Sequence, residues 1–250
     1  RCRNVLRINS SMTETTTNKL AIMQPYFLPY IGYFQLINAV DKFVIYDNIQ
    51  FSKKGWINRN RILMNGKDHM ISLPLKKDSD YLNVDERYIS DIFEKEKNKL
   101  IGKIKNAYLK APEFKDVFPF IQEILNYEEK NLFSYILNSL QEICKYLEIE
   151  TEFIVSSTVE IDHSLRGQEK VIALCNKLNA TGYINTIGGV DLYSKKIFKQ
   201  NNTQLNFIES KPIEYLQFNS NFVSWLSILD VLMFNDKLIV REYLNSYKIL

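Results

Sequence analysis

Apolar runs and helical spacings alternate along this chain, and their order predicts its elements. "KLAIM" at 19–23 is apolar almost throughout, which predicts a buried strand over 19–24. Residues 30–40 carry apolar side chains at helical spacing, and "KFVIYD" at 42–47 returns to a strand. That succession is a βαβ unit with parallel strands. Two alternating runs then flank Asn65-Gly66, a hairpin signal. Residues 86–111 predict a helix-rich stretch with a solvated Lys/Glu face, stopped at Pro112. Segments 113–126 and 128–147 repeat apolar residues every three or four positions, as amphipathic helices do. "TEFIVSST" at 151–158, a helix over 166–180 and "GYINTIGG" make a second βαβ unit. "TQLNFIES" is one more strand, and 222–235 and 237–247 are closing helices. The expectation is an α/β fold with a mostly parallel sheet built from two βαβ units, a helical insertion at about 86–147 and C-terminal helices.

Composition narrows this little further. At 250 residues, 46% apolar and 24% charged, the chain has material for a core without disulfides or metal. Cys2, Cys144 and Cys175 are far apart and form no CxxC pair, and His69 and His163 are the only histidines. No metal site is encoded, and the odd cysteine count suits a reducing compartment, here expected to be the cytoplasm. Cys144 and Cys175 lie on apolar helical faces, where buried structural thiols are expected. A net charge of +3, evenly spread, gives no footprint for nucleic acid. No run approaches the roughly 18 apolar residues of a membrane span. Residues 1–11 precede Met12, so 1–18 is read as a disordered or vector-derived tail and 19–250 as the folded α/β domain. Oligomeric state is left open.

Candidate chemistry concentrates in three stretches. "MQPYFLPYIGYF" at 23–34 leaves the first strand with two prolines, five aromatic residues and Gly32. In open α/β sheets ligands sit beside the loops that leave the strands' carboxyl ends. Prolines fix such a loop before a ligand arrives. Gln24, Tyr26, Tyr30 and Tyr33 are substrate-binding candidates, the tyrosines as stacking surfaces for a base or a sugar, and Gly32 would let the backbone approach a phosphate. The bland alternative is that the aromatics are core. "YDNIQFSKKGWINRNRI" at 46–62 leaves the second strand with Asp47, Gln50, Lys53, Trp56, Asn58, Arg59 and Asn60. Asp47 and Lys53 are the catalytic candidates, Asp47 as general base or ribose partner. Lys53 and Arg59 could hold a phosphate or carboxylate, while Gln50, Trp56, Asn58 and Asn60 would orient the substrate. The alternative is a solvated charged loop anchored by Trp56. "YINTIGGVDLY" at 183–193 adds Asn185, Gly188 and Gly189, the glycines marking positive φ or close approach to a ligand. His163 and Arg166 precede it, with nothing like a nucleophile elbow nearby, so His163 is read as a loop histidine.

These three stretches, with "LSILDVLMFN" near the end, resemble the WbqC-like protein family over nearly all of 19–247. Members of that family occur in gene clusters for O-antigen and other surface polysaccharides. The resemblance implies a transferase that forms an amide, glycyl or another acyl group, on a nucleotide- or carrier-linked sugar in surface polysaccharide biosynthesis. The alternative is a non-catalytic sugar-nucleotide-binding module. The first loop also follows the outline of the nucleotidylyltransferase F-x-P-x-H-x-G-H loop, with Tyr30 and Tyr33 at its two histidines, which suits a degenerate scaffold of that kind. Met23 stands where many members have His, and Asp236 where glycine is usual. The implied partner is a small molecule, a nucleotide-linked sugar for instance; no pattern names a cofactor.

Overall fold

The computed structural model describes residues 17–218 and 221–250. Of the tail, residues 1–16 lie outside them, while Asn18 is firmly held. Its side-chain amide donates to the carbonyls of Leu178 and Asn179, both at 3.0 Å.

A six-stranded sheet forms the centre, in the order β5-β2-β1-β6-β7-β8. Its strands are β1 Lys19–Met23, β2 Lys42–Ile45, β5 Glu152–Val155, β6 Gly182–Thr186, β7 Gln204–Ser210 and β8 Tyr247–Ile249. All pairings are parallel except β7 with β8. The hairpin β3 Arg59–Met64 and β4 Lys67–Ser72 stands as a separate two-stranded sheet. Asn65 and Gly66 both have positive φ, as a two-residue turn of the primed type requires.

The predicted βαβ unit of β1, α1 Ile31–Asn38 and β2 is present, with Leu20 opposite Lys42. The second unit, β5, α5 Gly167–Lys177 and β6, is present as well. β5 and β6 are parallel strands of one sheet, but β2 and β1 lie between them. The chain runs outward from β1 through β2 to β5. Helix α5 then carries it back across the sheet to β6. From there α6 Lys195–Gln200 leads to β7 on the other side. The strand order therefore reverses between β1 and β6, the topological switch point of a doubly wound sheet.

Alternation along the strands divides two cores. Leu20, Ile22 and Val44 face α5 and α6, packing with Val171, Leu174, Cys175 and Phe198. Ala21, Phe43 and Ile45 face the opposite way into a larger core shared with α1 and the inserted helices. Each such buried aliphatic or aromatic side chain contributes about 1.5–3 kcal/mol. The insertion comprises α2 Phe93–Tyr108, α3 Phe114–Leu125 and α4 Leu132–Tyr146. Helix begins at 93 rather than 86, because 75–89 is spent in isolated bridges, Leu75 with Ile89 and Gln50 with Asn83. The closing helices α7 Ile228–Phe234 and α8 Lys237–Tyr243 are shorter than predicted. Trp225 has φ 60° and Ser227 caps α7, so helix cannot start at 222. Asp236 caps α8 by accepting from the Ile239 amide at 3.0 Å. Cys144 and Cys175 are buried free thiols, and burial pushes Cys175 up to about 12. Among the described residues no helix is long and apolar enough to cross a membrane, and no cluster of three or more His, Cys, Asp or Glu could hold a metal.

Candidate functional site

At the switch point the carboxyl ends of β1, β2 and β6 and the start of α5 surround an open cleft of about 770 Å³. That volume lies within the roughly 300–1,000 Å³ of small-molecule sites. β1 delivers Gln24 and Tyr26, and β2 delivers Tyr46, Asn48 and Gln50. β6 delivers Asn185, Gly188 and Gly189, and α5 delivers Arg166, Gly167 and Lys170.

The α5 corner is the most chemically distinct. No side chain caps this helix, so the N–H groups of its first turn lack protein acceptors from a cap. Gly167 sits at φ 51°, a left-handed conformation that suits glycine. One turn on, Lys170 is buried, with its Nζ 3.3 Å from Asn48 Oδ1 and 5.2 Å from the centre of the Tyr46 ring. Asn48 in turn meets His163 Nδ1 at 3.0 Å, and His163 Nε2 lies 3.0 Å from the Val159 carbonyl. With that carbonyl as acceptor, the imidazole donates from Nε2 and accepts from Asn48 at Nδ1. Burial, then the positive charge of Arg166, hold the Lys170 amine below the ordinary lysine range, while Asp47 acts in the opposite sense.

The sequence candidates fall into three groups. Gln24, Tyr26, Gln50, Asn185, Gly188 and Gly189 line the cleft together. Neither glycine of the pair has positive φ. A Cβ on Gly189 would lie 2.3 Å from Asn185 Nδ2, so this glycine makes room for that amide. Tyr26, Tyr30, Trp56 and Asn60 line a smaller adjoining slot of about 270 Å³ with Pro29, Arg61 and Trp225. The first two loops thus do meet, and the Phe27 amide donates to the Ile57 carbonyl at 3.0 Å.

The third group lines neither space. Asp47 is buried and its Oδ1 accepts from the Ser157 amide at 2.9 Å. Exposed Lys53 pairs with Asp80 at 2.5 Å. Arg59 donates to its own loop, from Nε to Gly55 O at 2.9 Å and from Nη2 to Lys54 O at 2.5 Å. Asn58 donates to Leu73 O at 2.8 Å. Tyr33 is buried and its hydroxyl donates to Gln24 O at 2.7 Å, so this ring is core. Gly32 also differs from expectation. A Cβ there would lie 2.3 Å from the Tyr30 ring, so the close approach is made by Tyr30.

The model of the WbqC-like protein family matches residues 24–242, from the first loop through α8. The chain belongs to the WbqC-like protein family. A curated relative, "Uncharacterized protein Rv1507c" of Mycobacterium tuberculosis (strain ATCC 25618 / H37Rv), is 28% identical over 229 residues, covering 91% of this chain and 97% of the relative. No solved structure matches. In this family member the cleft is also lined by Met23, Asn83 and Tyr193, and its α5 corner lies inside the matched span. Sequence reasoning passed over Lys170, Asn48 and Trp225. Lys170 reads as one more charge on an amphipathic helix. The usable signal was Arg166-Gly167 directly before a helix that follows a strand.

Proposed function

We propose that the switch-point cleft binds a small molecule joining a phosphate to a sugar, with a nucleotide-linked sugar as the form that the family resemblance implies. One observation carries this reading: Arg166, buried Lys170 and the uncapped start of α5 converge on one cleft at the switch point. Two cations and free N–H groups suit a phosphate, Arg166 through its planar fork and Lys170 as a point charge. The amides of Gln24 and Gln50 and the hydroxyls of Tyr26 and Tyr193 supply hydrogen-bonding partners for the part of the ligand next to the phosphate, around the remaining wall.

A second reading makes the protein the transferase implied by the family, forming an amide on that sugar in surface polysaccharide assembly. Lys170 favours it, because its amine is held below the ordinary range beside the cleft. A sugar amine attacks the acyl carbonyl carbon, and a C–N bond forms. The bond from that carbon to the donor's leaving group breaks, the leaving group departs with the electron pair, and Lys170 takes the proton lost by the amine.

Calorimetric titration with UDP-glucose, UDP-N-acetylglucosamine and pyrophosphate tests the first reading. Binding is expected for all three, weakened roughly 10- to 150-fold in Arg166→Ala or Lys170→Gln by loss of a charge-assisted hydrogen bond. No binding of any probe, or unchanged affinity in both variants, would overturn it. Thiol release from an acyl thioester in the presence of an amino-sugar nucleotide separates transferase from binding module.

A further inference from the structure

Both tryptophans of the chain stand at the slot beside the cleft. Trp56 is 40% exposed and Trp225 is 65% exposed, although tryptophan is highly buried on average. The Trp225 ring packs against Tyr30, with ring centres 5.6 Å apart, and the Arg61 guanidinium lies 5.3 Å from the centre of the Trp56 ring. Trp225 is displayed from a left-handed backbone at φ 60°, which is costly for any residue with a Cβ and typical of functional positions.

The frame behind these rings is rigid. Asn60 Nδ2 donates to Phe27 O at 3.1 Å and to Leu28 O at 2.8 Å. Ser227 donates from its amide to Arg61 O at 2.8 Å and from Oγ to Leu28 O at 2.7 Å. The Ile228 amide donates to Pro29 O at 2.8 Å. Three distant segments are thereby pinned together, and what they hold up is a set of partly exposed aromatic rings. Preorganised aromatic surface of this kind suits ligand binding, because little ordering remains to be done.

We propose that this slot is a stacking subsite for one pyranose ring of the ligand. It deepens the reading of the adjoining cleft by giving the sugar its place, and rests on that reading only for the position of the phosphate. Tyr26 lines both spaces, so a ligand can run from one into the other without leaving the protein surface. At about 270 Å³ the slot falls below the usual range for a whole small-molecule site and takes a single ring. A nucleobase is disfavoured by the polar groups present. The Asn60 amide is spent on Phe27, Leu28 and the Arg61 N–H. Arg61 Nη1 is paired with Asp68 at 3.2 Å and Nη2 donates to Trp225 O at 3.3 Å, so Nε is the one donor nitrogen of this guanidinium without a partner among the described residues. Little is left to read the edge of a base, whereas a pyranose lays its C–H face on an indole and keeps its hydroxyls in solvent.

Because both tryptophans stand here, their emission reports on this slot. The full chain is titrated with methyl pyranosides of gluco, galacto and manno configuration, and separately with uridine and inorganic phosphate. A saturable change in emission with at least one neutral pyranoside is expected. Its affinity should fall about tenfold or more in Trp56→Leu and in Trp225→Gly, each read on the remaining indole. Trp225→Gly relieves the left-handed backbone, so its melting temperature should stay close to that of the parent and exclude unfolding as the cause. A change produced by uridine and not by pyranosides would overturn the proposal, as would no change with any pyranoside. UDP-sugar binding that depends on Arg166 but not on either tryptophan would also overturn it while leaving the cleft reading intact. Pyranoside binding in the slot, with no calorimetric binding of pyrophosphate or a UDP-sugar, would support this subsite and overturn the cleft reading.

Discussion

Helices α1 and α5 both begin at the edge of the sheet where the parallel strands end, and their starts are built in opposite ways. At α1 the Tyr30 ring folds back over the first turn and occupies the space a Cβ on Gly32 would need. The loop before it is clamped by Asn60 and Ser227, whose side chains both donate to the carbonyl of Leu28, itself at φ 46°. Neither helix has a side-chain cap, but at α5 Gly167 has open space around it and Arg166 and Lys170 stand beside it. One start is plugged with aromatic rings, and the other is left open and cationic. In doubly wound sheets the first strand-to-helix turn is the familiar phosphate seat. In this chain that turn displays rings, and the features that favour an anion stand at the start of α5, on the opposite face of the sheet.

The contrast can be attacked first where the clamp is strongest. Asn60→Ala should destabilise the fold by about 2–4 kcal/mol in urea unfolding, because it strips partners from two loop carbonyls and the Arg61 amide. A loss under about 1 kcal/mol would mean that the loop holds its shape unaided. Next, Gly32→Ala should cost about 1–3 kcal/mol by driving a methyl into the Tyr30 ring, and adding Tyr30→Ala should recover part of that loss. Gly167→Ala meets no neighbour, so no second-site change near it should rescue its smaller backbone penalty.

A third test concerns Asp230, the buried acid on the plugged side. It accepts from Tyr108 at 2.9 Å, from Tyr215 at 2.7 Å and from Gln217 at 2.5 Å. Burial raises its carboxyl above the ordinary 3.8, against the opposing effect of those three donors. The folded state therefore holds this proton more tightly than the unfolded chain. Its contribution to stability is complete below 3.8 and is lost as pH rises through the folded value. The slope is bounded at about 1.4 kcal/mol per pH unit. Melting curves from acid to neutral pH should show this component in the parent and lack it in Asp230→Asn. The smallest effect is expected from Arg59→Lys, which trades two bonds within its own loop for a weaker hold. Stability should fall by under about 1 kcal/mol, and UDP-sugar affinity should not change.

Much of the scaffold was legible. The Asn65-Gly66 hairpin, the first βαβ unit and the two-faced alternation of the strands follow from local pattern. The order of β5 and β6 does not, because nothing in a strand's own sequence says which neighbours will separate it from the next. Within the site, Gln24, Tyr26, Gln50 and Asn185 were legible because each lies just beyond or at a strand's carboxyl end. The dense polar run at 46–62 misled in part. Asp47, Asn58, Arg59 and Asn60 spend their hydrogen bonds on backbone groups that hold the loops in place, and density of polar residues does not distinguish that use from ligand binding. Trp225 was illegible for a different reason. Its residue type predicts burial, and its exposure arises from a backbone turn that no periodicity reveals.

The position of β1 also sets a schedule for folding. Its pairing with β2 joins residues close in sequence, Leu20 with Lys42, and so forms early. Its pairing with β6 joins Lys19 to Gly182, and Asn18 reaches Leu178 across 160 residues. Such contacts carry the loop-closure cost of everything between them. A chain emerging from the ribosome must therefore carry one side of its central strand unpaired while the hairpin, the inserted helices and α5 are made. The cleft, walled on one side by β1 and on the other by β6, comes into existence only when that edge closes.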